Sequence, residues 1–198
     1  MARSETARTA LLDAAERLFA EHGIATVSDR KVAEAAGNSN HSAVGYYFEG
    51  RYGLLSALVS RHAEPLENQR LTLFERSDSV LGDIRSLVVP HVELLATLPR
   101  PSWRARFLQR ALNDPTAERL VREASPSVVT ISRSVVSRLA HLDREVVAGR
   151  ARLTAHIVST ACAEVEARDD EVPHWPEVGD FLADAIAGML QAPITRRG

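Results

Sequence analysis

The sequence predicts an all-α protein with a small three-helix unit at its N-terminus and a larger helical body behind it. Three observations predict this. Apolar residues recur every three or four positions through most of the 198 residues, which is the period of one helix face. Proline, glycine and Asn/Asp clusters punctuate that pattern at intervals suited to helix ends. No pair of segments alternates as strands do, and there is no internal repeat or low-complexity tract.

Residues 6–22 form the first expected helix. Leu11, Ala14, Ala15, Leu18 and Phe19 share one face, and Gly23 after His22 is suited to the left-handed residue that ends helices. Ser28 is an N-cap for a second helix, with Asp29 in its first turn and Val27 and Val32 placed as a hydrophobic staple. Val32, Ala33 and Ala36 make its buried stripe, and Gly37 stops it. Asn38-Ser39-Asn40 is turn chemistry. Asn40 is placed to cap a third helix over 41–47, which at about two turns needs tertiary packing to persist. Glu49-Gly50 ends it, and a fourth helix starts at Arg51. Pro65 is expected to kink or end that helix, with the pattern resuming over 66–74. Further helices are expected at 79–97, 102–113, 116–140, 143–168 and 177–191. Pro126 divides or kinks the third of these, and Pro90 sits inside the first. The tail 195–198 is expected to fray. The domain division that follows is 1–50 and 51–198.

Hydrophobic residues make up 45 % and charged residues 25 % of the chain, close to soluble globular averages. The net charge is −2, so nucleic-acid binding must come from a local patch or from paired copies. The single cysteine, Cys162, rules out an intrachain disulfide framework; it is expected to be a small buried hydrophobe. No signal-peptide pattern and no run of about 18 apolar residues is present, so a cytoplasmic protein with no membrane partner is expected. Lys31 is the only lysine. No G-x-S-x-G elbow, P-loop, H-E-x-x-H or Gly-rich dinucleotide loop occurs. Catalysis is not expected, and neither a cofactor nor a metal is implied.

Residues 6–62 resemble the DNA-binding domain of the TetR family of bacterial transcriptional repressors. The residues that carry the resemblance are Ala14-Ala15, Leu18-Phe19, His22-Gly23, Ser28, Val32-Ala33, Ala36-Gly37, Ala43-Val44 and Tyr46-Tyr47-Phe48, with Arg51 and Leu54-Leu55 behind them. The resemblance covers about the first third of the chain. It implies a helix-turn-helix head on an all-helical ligand-binding and dimerisation domain. Two departures stand out. The turn is one residue longer than the family's usual spacing, and Gly45 occupies a place where the family often has a DNA-touching aromatic.

A recognition helix enters the major groove with its first residues toward base edges. Asn40, His41, Ser42 and Ala43 are those residues here. Asn suits adenine, Ser donates or accepts, and Ala meets a thymine methyl. The resemblance places Arg30 at a base or phosphate and Tyr46 in the core. Ser28, Tyr47 and Arg51 are phosphate candidates, although Ser28 is a cap in any case and a solvated pair with Glu49 is the lesser alternative for Arg51. Residues 1–62 hold seven basic and seven acidic residues, so distribution, not net charge, must carry binding. Arg3 and Arg8 are expected on an N-terminal arm.

In the body, the resemblance implies a C2 four-helix-bundle dimer. Val146, Val147, Leu153, Ile157, Val158 and Ala161 line one expected interface helix, and Phe181, Leu182, Ala185, Ile186, Met189 and Leu190 the other. Trp103, Phe107 and Leu108 are expected to wall an effector pocket with His91, Arg106, Arg110 and His156 as polar anchors. A structural histidine, or a solvated Arg106/Arg110 face, explains the same residues. The expected function is a homodimeric repressor that binds pseudo-palindromic double-stranded operator DNA and is released by an unidentified small-molecule effector. An activator or a partner-dependent regulator is the alternative, and a helical enzyme a more distant one.

Overall fold

The computed structural model describes residues 2–168 and 173–194, with side chains described from Ser4 onward. Among the described residues the protein consists of ten α-helices: α1 Ala2–His22, α2 Asp29–Ala35, α3 Ala43–Phe48, α4 Arg51–Phe74, α5 Val80–Thr97, α6 Arg104–Leu112, α7 Pro115–Glu123, α8 Pro126–Arg138, α9 Arg144–Glu166 and α10 Trp175–Gln191. The expected tail at 195–198 lies outside the described residues, as does the side chain of Arg3.

Local chemistry accounts for most boundaries. Ser79 accepts from Gly82 N–H to start α5, and Asp114 accepts from Thr116 and Ala117 N–H to start α7. Pro115 and Pro126 occupy first turns, where a missing N–H costs nothing. The 116–140 segment is accordingly two helices. Pro65 lies inside α4 and does not end it, which removes one of the two expected outcomes. Buried Leu58, His62, Leu66 and Arg70 run along one side of that helix on both sides of the proline, so packing outweighs the lost backbone hydrogen bond. The expected N-terminal arm is helical from Ala2, and Arg8 lies over the Phe48 ring at 5.0 Å.

Two apolar clusters form the core. The first joins α1, α2, α3 and the start of α4 to Phe107, Ala111, Ala117 and Leu120 of α6 and α7. The second joins α5, α8, α9 and α10. The first cluster therefore runs past residue 50. α4 belongs to the head at its start and to the body at its end, and α1 packs directly on α6. Phe107 sits at this junction, its ring 6.3 Å from Phe19 and 5.1 Å from His62.

The junction between α3 and α4 is unusually close. Glu49 and Gly50 take positive φ values of 59° and 103°, which turns the chain sharply. A Cβ on Gly53 would lie 1.7 Å from the Phe48 carbonyl oxygen, so only glycine fits there.

The start of α6 is capped from a distance. The buried Glu166 carboxylate accepts from Ala105 N–H (3.0 Å), Arg106 N–H (2.9 Å) and Ser102 Oγ (2.7 Å). An anion at a helix N-terminus meets both the free N–H groups and the dipole. Nearby Cys162 is fully buried, and its thiol is pushed up to about 12, by burial first and by Glu166 second; it is packing, not a nucleophile.

Candidate functional site

The first site is the outer face of α2 and α3. Ser28 caps α2 as expected, accepting from Lys31 N–H at 3.2 Å. The helix closes on a Schellman pair, with Asn38 N–H donating to Ala33 O (2.9 Å) and Gly37 N–H to Glu34 O (3.0 Å), Gly37 having φ 68°. The long turn is then ordered by its own asparagines. Asn38 Oδ1 accepts from Asn40 N–H and Asn40 Oδ1 accepts from Ser42 N–H, both at 3.0 Å. Asn40 therefore builds a turn and does not cap α3, which begins at Ala43 after a Ser42 whose side chain makes no capping bond. The extra residue relative to the family pattern is absorbed in these consecutive Asx turns.

Several expected contacts move as a result. Ala43 is 1 % exposed within the head's core, so it cannot meet a thymine methyl. Tyr46 is 78 % exposed, whereas the half-buried Tyr47 packs on the core; the two rings meet edge-on at 4.9 Å. The reason is phase. Val44 and Phe48 are the buried pair four apart, which turns Tyr46 outward and leaves Tyr47 at the edge. Gly45 is exposed beside it. Ser28, Arg30, Lys31, Asn40, His41 and Ser42 are also exposed. Arg30 Nε donates to Glu34 (2.8 Å), and His41 Nδ1 lies 3.7 Å from the same carboxylate. Arg51 does not pair with Glu49. Its guanidinium donates to Asp29 (3.1 Å) and to the Ile24 carbonyl, and stacks 4.3 Å over the Phe19 ring. It staples the α1–α2 loop to the head instead of reaching outward.

The second site is a partly open cavity of about 290 Å³ lined by α4, α5, α6, α7, α8 and α9. Its wall is mostly apolar, including Leu66, Val88, Phe107, Leu108, Val128 and Val158. Of the expected pocket residues, His91, Phe107 and Leu108 line it. Trp103 and Arg106 do not; Arg106 stacks 4.2 Å over the Trp103 ring and bonds Glu166 at the start of α6. Arg110 and His156 are exposed and do not line the cavity.

His62, Arg70, Arg104 and Thr154 line the cavity and were not expected there. One signal was available: His62, Leu66 and Arg70 are four apart and interrupt an otherwise apolar stripe of α4. Arg104 and Thr154 carried no such local mark. Burial holds His62 below the ordinary histidine range against the opposing pull of Glu16, 3.4 Å away on α1. Burial also opposes the charge on Glu16, but His62, Arg104 and Arg61 outweigh it and its carboxyl is held down. His91 is pushed down to about 3, by burial first and then by Arg70, His62 and Arg104.

The third feature is an exposed apolar face across α9 and α10. Phe181 is 72 % and Leu153 51 % exposed. Ala185 is exposed, and Val146, Ile157, Ala161 and Met189 are half-buried. Leu182, Ile186, Leu190 and Val147 are buried within the chain. That corrects their expected place on an outer surface: α10 turns Leu182, Ile186 and Leu190 toward α5, and Val147 of α9 belongs to the same core cluster.

The comparisons agree with this architecture. The profile of the bacterial regulatory proteins of the tetR family matches residues 11–58. The transcriptional repressor AcnR of Corynebacterium diphtheriae is 31 % identical over 124 residues, 59 % of this chain and 65 % of that protein; the match thus spans just under two thirds of the relative. A TetR family transcription regulator from Marinobacter aquaeolei has the same fold, with a TM-score of 0.58 at 16 % identity, over 94 % of this chain and 96 % of the other. AmtR of Mycobacterium smegmatis also superposes at 0.58, with 22 % identity over 90 % of this chain and 84 % of that one. Residues 11–58 thus match the bacterial regulatory proteins of the tetR family, and the chain as a whole has the fold of solved TetR family regulators.

Proposed function

We propose that the chain is a homodimeric transcriptional repressor that binds pseudo-palindromic operator DNA in the cytoplasm and is released by a small-molecule effector. The observation that carries the reading is the physical continuity of α4. It begins one residue after the α3 turn and ends as a wall of the cavity, so a change at the cavity reaches the reading helix through one rigid element.

On the DNA side, Asn40, His41 and Ser42 precede α3 at the position from which base edges are read. Tyr46, one residue beyond Gly45, supplies an exposed aromatic on the same helix. Ser28, Arg30, Lys31 and the rim of Tyr47 are the phosphate contacts. Arg51 acts indirectly by holding the α1–α2 loop. Few cations face outward, so a moderate salt dependence is expected. The second copy docks on the α9–α10 face through Leu153, Ile157, Phe181, Ala185 and Met189, placing two heads on one duplex by two-fold symmetry. Effector binding shifts the population toward a head spacing that fits the operator less well.

The test is selection of duplexes from a randomised library, followed by footprinting and by light scattering of the free protein. A two-fold-related pair of half-sites bound by two copies supports the reading. A failure to enrich any sequence at moderate salt removes it. A Phe181→Glu variant that stays monomeric and loses the footprint separates the dimer face from the head.

A further inference from the structure

The apolar wall of the cavity holds a polar cluster that the fold leaves unsatisfied. Nδ1 of His62, Nε of Arg70, Nε2 of His91, Nε of Arg104 and Oγ1 of Thr154 are buried without a hydrogen-bond partner, and His62 Nε2 has only the Glu16 carboxylate, 3.4 Å away on the α1 side. All five residues line this one cavity. Buried polar atoms of this kind are uncommon, and each costs on the order of 1–3 kcal/mol. Their concentration from α4, α5, α6 and α9 onto one space is the signature of a site built for something polar.

The sign of the charge follows from the neighbours. Arg70 and Arg104 are the fixed charges among the five. Glu67 lies 3.6 Å from Arg70 Nη1, but its oxygens also accept from Ser127 N–H and Oγ. Glu16 faces His62 and Arg61 and acts on Arg104 only through space. Glu118 and Arg122, also in the wall, bond each other at 2.8 Å. The Nε–H groups of Arg70 and Arg104 are thus buried donors on cations with no acceptor. A ligand cation would meet two guanidiniums, and a fully apolar ligand would leave the donors unpaired.

We infer that the cavity, read as the effector site proposed above, takes a small amphipathic carboxylate. Its apolar body lies against Leu66, Val88, Phe107 and Val128, and its carboxylate is received by Arg70 and Arg104 with Thr154 and neutral His91 beside it. The volume of about 290 Å³ lies just below the roughly 300–1,000 Å³ typical of ligand pockets, which calls for a small ligand. Burial depresses both guanidiniums, the direction expected of cations that a buried anion would relieve.

Calorimetric titration of the full chain tests this with octanoate, decanoate and phenylacetate, each beside the primary amide and the primary amine of the same skeleton. The carboxylates are expected to bind at least about tenfold more tightly than their amides, and the amines not at all. Arg70→Gln and Arg104→Gln should each weaken carboxylate binding by about tenfold to a hundredfold while leaving the amide unchanged. Arg70→Lys and Arg104→Lys should restore part of the loss. Because Arg70 also faces Glu67, the pair Glu67→Gln/Arg70→Gln removes both charges and keeps the test valid if the single variant folds poorly. Amides binding as tightly as carboxylates, Arg variants with unchanged carboxylate affinity, or no binding by any skeleton would each overturn the inference. Carboxylates that bind without releasing DNA uphold it and sink only the effector reading; neutral ligands that release DNA do the reverse.

Discussion

In the head, polar groups beside the core find partners close at hand: Ser28 takes Lys31 N–H, Asn38 and Asn40 order the turn, and Arg51 is held by Asp29 and the Ile24 carbonyl. In the cavity, five buried polar atoms, one on each of five residues, have no such partner. Both regions are built from short amphipathic helices of ordinary composition. The head is finished as a rigid shape before it meets anything. The cavity is left with donors that only a further molecule can complete. A receptor surface for DNA needs preset geometry and a ligand site needs unpaired chemistry, and the function proposed above asks each region for the one it has.

Breaking the seam between the two regions should have the largest effect. Phe107→Ala removes a fully buried ring shared by Phe19 and His62. It should cost about 3–5 kcal/mol, and urea unfolding should show head and body melting together; separate transitions would mean that the two cores are independent. Next comes pH. A buried neutral histidine whose folded pKa is depressed favours the native state above its unfolded pKa. That stability falls as pH drops through about 6.5. With His91 at about 3 in the fold, moving from pH 7 to pH 5 should remove roughly 2 kcal/mol through this residue. His62 is shifted in the same direction. His91→Gln should flatten part of the urea-midpoint dependence, and an unchanged dependence would place the histidine in contact with solvent. Third, Ser28→Ala deletes the α2 cap and should cost about 1 kcal/mol, read by thermal unfolding. Smallest in stability is Tyr46→Ala, expected to stay within about 0.5 kcal/mol because the ring is exposed. It should nevertheless weaken DNA binding in a gel-shift titration; unchanged affinity would remove Tyr46 from the reading face.

The sequence made the head legible because its determinants are short-range. Ser28, Gly23 and Gly37 act on the next few residues, and the apolar spacing of α1 fixes which side packs. The errors there were of phase. Ala43 and Tyr46 were assigned to the wrong sides because α3 starts two residues later than its first polar turn suggested. The cavity was only half legible. His91 and Phe107 were found, while Arg106, Arg110 and His156 were misplaced. A residue reaches a cavity only through the packing angles of several helices, and no local pattern encodes those angles. Glu166 illustrates the same limit, since it caps a helix about sixty residues earlier in the chain. On α10 the sequence reads the apolar positions as one dimer-interface face, but it does not say whether the cover is α5 or a second copy. The answer divides residue by residue, with Leu182 and Ile186 inward and Phe181 outward.

The contact at Gly53 has a mechanical consequence. With no room for even a methyl group between α4 and the last carbonyl of α3, the two helices mesh like gear teeth without backlash. In the function proposed above, a turn of α4 about its axis would pass to α3 through this close contact. His62 and Arg70, two turns apart on the same shaft, are where such a torque would be applied. For that proposal, distance from the cavity to α3 matters less than the stiffness of one rod and the tightness of one bearing.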